Sequence, residues 1–318
     1  MHTRFLRYIL AFFVGTICLQ QYVFSMEPVE DSIEKSSGTP SISAGAYAVN
    51  GGRSQMEDRW VISSRSDDNS IDQFHIFDGH GGEEVAQWLS EKVPKLIEQY
   101  IKDEKSIEDC VKDAFRDLDQ DLQKKNIECY KTGSTAVSAL IYEGDLLVAN
   151  IGDSEALLIT SNSWKLMTIR HRAEDQKEKE RVESLGAEVK NNRLQGKLAV
   201  TRAFGDSYFK IPHRRDNFVT AEPHIKIVSI NPNYRYLILG SDGLWDMLPK
   251  EKVAEFVQLG ANKGHAPEKI AKKLVIKALK QSYKGNVQDN IAVIVIQFHH
   301  CSDDGRLNKK NQKGCTIS

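Results

Sequence analysis

The chain predicts an α+β fold, with two antiparallel β-sheets packed face to face and helices outside them. Three observations carry this. Nine short runs are rich in β-branched or aromatic residues and bounded by turns. Several follow one another with only a few residues between, as hairpins do, which argues against a doubly wound parallel sheet. Nine strands also exceed a comfortable single sheet, so two packed sheets are the simplest arrangement.

In order, the runs are 44–49, 60–65, 71–77, 134–141, 145–151, 155–160, 225–230, 235–240 and 291–298. "GDL" at 144–146 reads as a hairpin turn. Helical spacing occupies 83–100, where Val85, Leu89, Val93 and Ile97 recur every fourth residue, and returns in 106–125, 174–186, 249–259 and 266–280. Pro94 is expected to kink or split the first helix. Glu83 and Glu84 suit its positive end.

The two ends read differently from this body. "MHTRFLR" followed by the apolar "YILAFFVGTICL" and the short "QQYVFS" has the pattern of a secretory signal peptide over 1–25, with an uncleaved signal-anchor as the alternative. The apolar run is short for a membrane span, which needs roughly 20 residues. Residues 26–42 read as a disordered linker, 43–299 as the folded domain and 300–318 as a basic disordered tail. The last four residues, "CTIS", fit a prenylation box at Cys315, preceded by "KKNQK". Export is the expectation, with membrane association through the N-terminal segment or a lipidated Cys315 set against an ordinary frayed tail; a bacterial protein delivered into a host cell would reconcile the two signals.

A formal net charge of −1 over 318 residues gives no electrostatic case for nucleic acid as a partner. The five cysteines (Cys18, Cys110, Cys129, Cys301 and Cys315) show no metal spacing and no dense framework, so neither a zinc site nor a disulfide scaffold is expected.

Acids recur where strands end. "FHIFDGHGG" closes an apolar run on Asp78 and a glycine, and "YLILGSDGLWD" repeats the design at Asp242. "LLVANIGDS" places Asp153 after a glycine, and "QDNIAVIVIQF" places Asp289 just before its strand. In an antiparallel sheet the end of one strand and the start of its neighbour share an edge, so these four carboxylates can converge. Glu57 and Asp58 in "RSQMED" enter another strand. Taken singly, each is an ordinary turn residue or solvated acid. Together they would repel one another unless divalent cations intervened, and oxygen-only ligands select Mg²⁺ or Mn²⁺.

These residues closely resemble the metal-dependent Ser/Thr protein phosphatases of type 2C, the PPM family. "RSQMED", "FDGHGG", "GSTAVSAL", "VANIGDSEA", "LAVTRAFGD", "VTAEPHI", "SDGLWD" and "DNIAVIVI" match its signatures in order, over roughly residues 43 to 298. The resemblance implies helices on both outer faces of the sandwich and a monomer that takes phosphorylated proteins as substrates. It also implies two Mg²⁺ or Mn²⁺ ions and a third, weaker position. Asp78 would bridge the two ions; Glu57 and the carbonyl of Gly79 would complete one, and Asp242 and Asp289 the other. Asp153, Asp242 and Asp246 resemble the third position. Asp58 would accept hydrogen bonds from waters, Arg53 would bind phosphate, and His80 would protonate the leaving oxygen after attack by a hydroxide bridging the ions.

Ser134, Thr135 and Thr201 are expected to satisfy local bonds, and Arg202 to pair with Asp206. The chain departs from the family at Glu155, where an Arg is usual, and at Arg170-His171, where an Asp-His pair is usual. Residues 161–197, which correspond to a flap beside the site, match least. Two other readings remain: a catalytically silent homologue that binds phosphoproteins, and a related hydrolase of small phosphoesters. Loss of Asp78, Asp242 or Asp289 would favour the silent homologue, and all three are present.

Overall fold

A computed structural model describes residues 40–63, 71–103, 105–124, 128–210, 217–285 and 288–300. The chain opens with β1 (Ser41–Val49), β2 (Arg59–Ser63), β3 (Asp72–Phe77) and the two-residue β4 (Gly79–His80). Two helices follow, α1 (Glu84–Lys102) and α2 (Ile107–Lys124). Then come β5 (Gly133–Ser134), β6 (Ala136–Tyr142), β7 (Asp145–Ile151), β8 (Glu155–Thr160) and β9 (Trp164–Leu166). Next are α3 (Gln176–Ser184), β10 (Val189–Lys190), β11 (Arg193–Leu194) and β12 (Phe204–Gly205). The chain continues with β13 (His224–Ser229), β14 (Tyr234–Gly240), the short α4 (Asp242–Trp245), α5 (Lys250–Asn262), α6 (Pro267–Gly285) and β15 (Ile291–His299).

Two five-stranded sheets result, ordered β1-β15-β14-β8-β9 and β13-β7-β6-β3-β2. Their pairings are antiparallel throughout. The turn between β6 and β7 is the expected hairpin, with Glu143 and Gly144 both at positive φ (49° and 84°), the geometry that matches strand twist.

Alternation along the strands makes the layers. Phe74 and Ile76 of β3 meet Ala292, Ile294 and Ile296 of β15 between the sheets. The other face of β15, Ile291, Val293 and Val295, packs on Val253 and Val257 of α5 and Ile270 and Leu274 of α6. Both faces of β15 are therefore apolar, which is why "IAVIVI" reads as an unbroken run. On the opposite outer face, Val85, Leu89, Val93 and Ile97 of α1 join Phe115 of α2 against Phe77, Leu140 and Leu147. The order of layers is helices, sheet, sheet, helices.

Two expectations need correction, and one element was not foreseen. Helix α1 runs through Pro94 without splitting. Proline costs about 3 kcal/mol in a helix interior, whereas each buried aliphatic on this face contributes roughly 1.5–3 kcal/mol, so packing prevails. Strand β1 starts at Ser41, inside the expected linker, because it pairs along its whole length with β15 from Ser41↔His299 to Val49↔Ile291. A small third sheet, β12-β5-β4, has no counterpart in the sequence reading; two-residue strands are too short to carry a period.

A separate core brings Ala173, Val182, Leu194, Val200, Phe209 and Phe218 together in burial. Residues 64–65 of the second predicted strand, the signal segment 1–25, most of the linker, Cys18, Cys301 and the tail with Cys315 lie outside the described residues. Among those described, Cys110 and Cys129 are buried free thiols, and no helix is long and apolar enough to cross a membrane.

Candidate active site

The sandwich delivers its acids to one edge. Asp78 follows β3, Asp153 follows β7 by one glycine, and Asp242 opens α4 just beyond β14. Asp289 precedes β15, whose start lies beside the end of β14 (Gly240↔Val293). One carboxylate oxygen from each of Asp78, Asp153 and Asp242 lies within 4.8 Å of the others. A cavity of about 390 Å³ opens over them, bordered also by Arg53, Glu57, Gly79, His80 and Asp289.

This convergence is electrostatically costly. Burial and then the charges of Asp58, Asp242, Asp153 and Asp289 push Asp78 well above the usual carboxylate range. Burial, Asp153, Asp289 and Asp246 do the same to Asp242. Protein groups alone leave these carboxylates short of positive charge, and their donor set is oxygen throughout. That is the chemistry of a hard divalent cation site, and the residues present fit Mg²⁺ or Mn²⁺.

The loop carrying Arg53 and Glu57 is pinned by Asn290. Its Oδ1 accepts from the Glu57 N–H (2.7 Å), and its Nδ2 donates to the carbonyls of Asn50 (2.9 Å) and Gln55 (3.0 Å). Arg53 donates through Nε to the Gln288 carbonyl (2.7 Å) and through Nη2 to Asp289 Oδ2 (3.0 Å). Asp58 does not border the cavity. It is buried behind the cluster, accepts from Ser241 Oγ (2.8 Å), and is pushed by burial up to about 7. Asn290 went unread, although its place beside Asp289 was a signal.

His80 borders the cavity with Nε2 held 2.8 Å from Asp206 Oδ2. Asp206 is thus not the partner of Arg202, as the sequence implied. Arg202 instead donates to Glu178 Oε1 from Nε (3.2 Å) and Nη2 (2.8 Å). The small third sheet explains the exchange, since His80↔Gly133 and Gly205↔Gly133 pairings bring β4 and β12 to either side of β5. A Cβ on Gly133 would fall 2.3 Å from Asp206 Oδ2 and 2.7 Å from His80 Nε2, so only glycine leaves room for the pair. Burial opposes a charge on His80, but the charge and hydrogen bond of Asp206 outweigh it and raise the imidazole above its ordinary range.

Asp246 lies apart from the cavity, bordering a smaller crevice with Asp242 and Asp289. It meets Arg172, a residue the sequence reading passed over. Arg172 donates to Asp153 Oδ2 from Nε (2.7 Å), and from Nη2 to Asp246 Oδ2 (2.9 Å) and Asp242 Oδ2 (3.2 Å). The two family departures have local partners: Lys250 Nζ donates to buried Glu155 (2.6 Å), and Arg170 pairs with Asp175 (3.2 Å).

The segment around α3 is tied down by Glu178. Burial alone would raise this carboxyl, but hydrogen bonds from Arg202, Arg181 and Thr201 hold it at about 2. Arg181 continues to the carbonyls of Thr201 (3.0 Å) and Phe218 (3.2 Å). The local roles expected of Ser134, Thr135 and Thr201 are observed: Ser134 Oγ donates to the Thr135 carbonyl (2.8 Å), Thr135 Oγ1 meets Ser154 Oγ (2.9 Å), and Thr201 Oγ1 donates to Glu178 (2.6 Å). Arg193 and Lys197, which follow α3, and Lys131 border the same cavity as the acids.

The sequence profile described as "Protein phosphatase 2C" matches residues 42–287. The chain is 34% identical over 266 residues to "Probable protein phosphatase 2C 2" of Arabidopsis thaliana, covering 80% of this chain and 67% of that one. It is 31% identical over 272 residues to "Probable protein phosphatase 2C 54" of Oryza sativa subsp. japonica, covering 82% and 74%. Among solved structures, a serine-threonine phosphatase 2C from Toxoplasma gondii shares the fold at a TM-score of 0.69 and 22% identity, over 82% of this chain and 96% of that one. A C. elegans sex determining protein matches with the same TM-score at 28% identity, over 83% and 66%. With a buried acid cluster at the edge of a four-layer sandwich and a profile match spanning nearly the whole described fold, the chain belongs to the protein phosphatase 2C family.

Proposed function

We propose that the chain hydrolyses phosphoserine and phosphothreonine in proteins, using Mg²⁺ or Mn²⁺ held by Asp78, Asp242, Asp289, Glu57 and the carbonyl of Gly79. The observation that carries this is the meeting of Asp78, Asp153 and Asp242 within 4.8 Å in a cavity that Arg53 and His80 also border. Bound divalent ions supply the charge that offsets the carboxylates and the phosphate, and they make water acidic enough to attack at neutral pH.

The chain's own residues do the rest. Arg53 keeps Nη1 for a phosphate oxygen while Nε and Nη2 hold it against Gln288 and Asp289, and a guanidinium fork suits that contact. A carboxylate only accepts, so the His80 Nε2–H donates to Asp206 and Nδ1 is the nitrogen that gives a proton to the departing alkoxide. Proton donation of this kind contributes about 10²–10⁴-fold. Lys131, Arg193 and Lys197 add positive charge around the mouth, which favours an anionic substrate.

Substrate profiling tests the assignment. With Mn²⁺ present, the full chain is expected to release phosphate from phosphothreonine and phosphoserine peptides faster, by kcat/KM, than from phosphotyrosine peptides or p-nitrophenyl phosphate. A preference for the small ester would instead favour a phosphoester hydrolase that does not act on proteins.

A further inference from the structure

Arg172 has more carboxylate partners than any other described cation near the cavity. Its backbone is fixed first. Arg172 forms an isolated bridge with Val200, and its N–H donates to Asp175 Oδ2 (3.0 Å), a carboxylate that Arg170 also engages. The side chain then reaches Asp153, Asp242 and Asp246 at 2.7–3.2 Å, with Glu174 at 4.0 Å. Only 16% of the Arg172 side chain is exposed. The three acids come from two places, the turn after β7 and two positions one helical turn apart at α4, and Arg172 is the described cation that reaches all of them.

We propose that Arg172 is a built-in counter-ion that fills the Asp153–Asp242–Asp246 position, so that this chain holds exchangeable divalent ions only on the Asp78 side of the cluster. The inference rests on the reading of that cluster as a divalent metal centre. The family resemblance implied a third ion among these same acids, and the residues present do not fit one. A divalent cation there would need oxygens at about 2.0–2.2 Å, in the space the guanidinium occupies. Asp153 and Asp242 each give Oδ2 to Arg172, leaving Oδ1 for an ion beside Asp78. Arginine is charged at every working pH, so part of the negative charge here stays offset when ions are scarce, which a bound third ion could not ensure. Arg172 is in these terms a positioning residue: it fixes two carboxylates without touching substrate.

Counting bound ions tests the proposal without relying on activity. The full chain is titrated with Mn²⁺ into the millimolar range, and the free ion is followed by electron paramagnetic resonance. The wild type is expected to bind two ions and Arg172→Ala three, the added one more weakly. The double variant Arg172→Ala/Asp246→Asn should return to two, which locates the extra ion at Asp246. Asp246→Asn alone, at a half-exposed position, should leave both the count and the affinities unchanged within about threefold, and it decides the matter even if Arg172→Ala fails to fold. A wild type that binds three ions, a count that falls in Asp246→Asn, or a folded Arg172→Ala that still binds two would each overturn the proposal while leaving the metal centre intact. A wild type that binds none would overturn the metal centre itself, and the proposal with it.

Discussion

Two arginines touch the acid cluster, and they do so on different terms. Arg53 has one carboxylate partner, Asp289, and both side chains are open to solvent at 51% and 37% exposure. Arg172 has three carboxylate partners and is 16% exposed. An exposed pair is worth about 0–1 kcal/mol, so Arg53 can move toward a phosphate at little cost. Arg172 is enclosed by three carboxylates, and leaving them would expose them to one another. On the proposed function, partner number and solvent access, not residue type, would give one arginine to the substrate and the other to the architecture.

The largest break in this comparison removes the cluster both arginines serve. Asp242→Ala deletes a carboxylate shared by Arg172 and the proposed metal position; losing several kcal/mol of charge stabilisation corresponds to a fall in kcat/KM of ~10³-fold or more, measured on a phosphothreonine peptide. Arg53→Ala should lower kcat/KM by about 10–10²-fold, the value of a charge-assisted hydrogen bond, while the stability in urea changes by less than ~0.5 kcal/mol. Arg172→Ala should show the reverse emphasis. Without divalent ions it loses about 2 kcal/mol of stability, below the figure for a fully buried pair because Asp246 is partly exposed, and added Mn²⁺ stabilises it more than it stabilises the wild type. Equal stability losses for the two variants would erase the distinction.

His80 completes the series as a cation whose charge depends on pH. Asp206 raises its pKa, so Asp206→Asn lowers it, and the protonated acid is lost at a lower pH. The basic limb of the kcat/KM profile should shift to lower pH, with the largest loss on its alkaline side. A basic limb that stays in place would remove Asp206 from the mechanism.

The legible and illegible parts of this molecule differ by sequence distance. Asp78, Asp153, Asp242 and Asp289 stand at the boundaries of apolar runs, so strand pattern and antiparallel geometry were enough to bring them to one edge. The pairs that finish the site join residues far apart: His80 and Asp206 are separated by 126 positions and Arg172 and Asp246 by 74. No local propensity encodes such partners, and Asp206 was assigned to the nearer Arg202. Strand β1 was read short for another reason. The missed residues, Ser41, Ile42 and Ser43, continue the Ser-rich stretch before them, and Gly45 is there because a Cβ would fall 2.3 Å from the Glu268 nitrogen of α6. The strand's structure comes from β15 and α6, not from its own composition.

The most direct test of the metal-dependent hydrolase is phosphate release from a phosphothreonine peptide by the full chain with Mn²⁺, then with EDTA, beside Asp242→Ala. The account predicts release with Mn²⁺, none with EDTA, recovery when Mn²⁺ is restored, and near-background rates from a folded Asp242→Ala. Release that persists in EDTA, or a folded, Mn²⁺-loaded wild type that releases nothing, would contradict it.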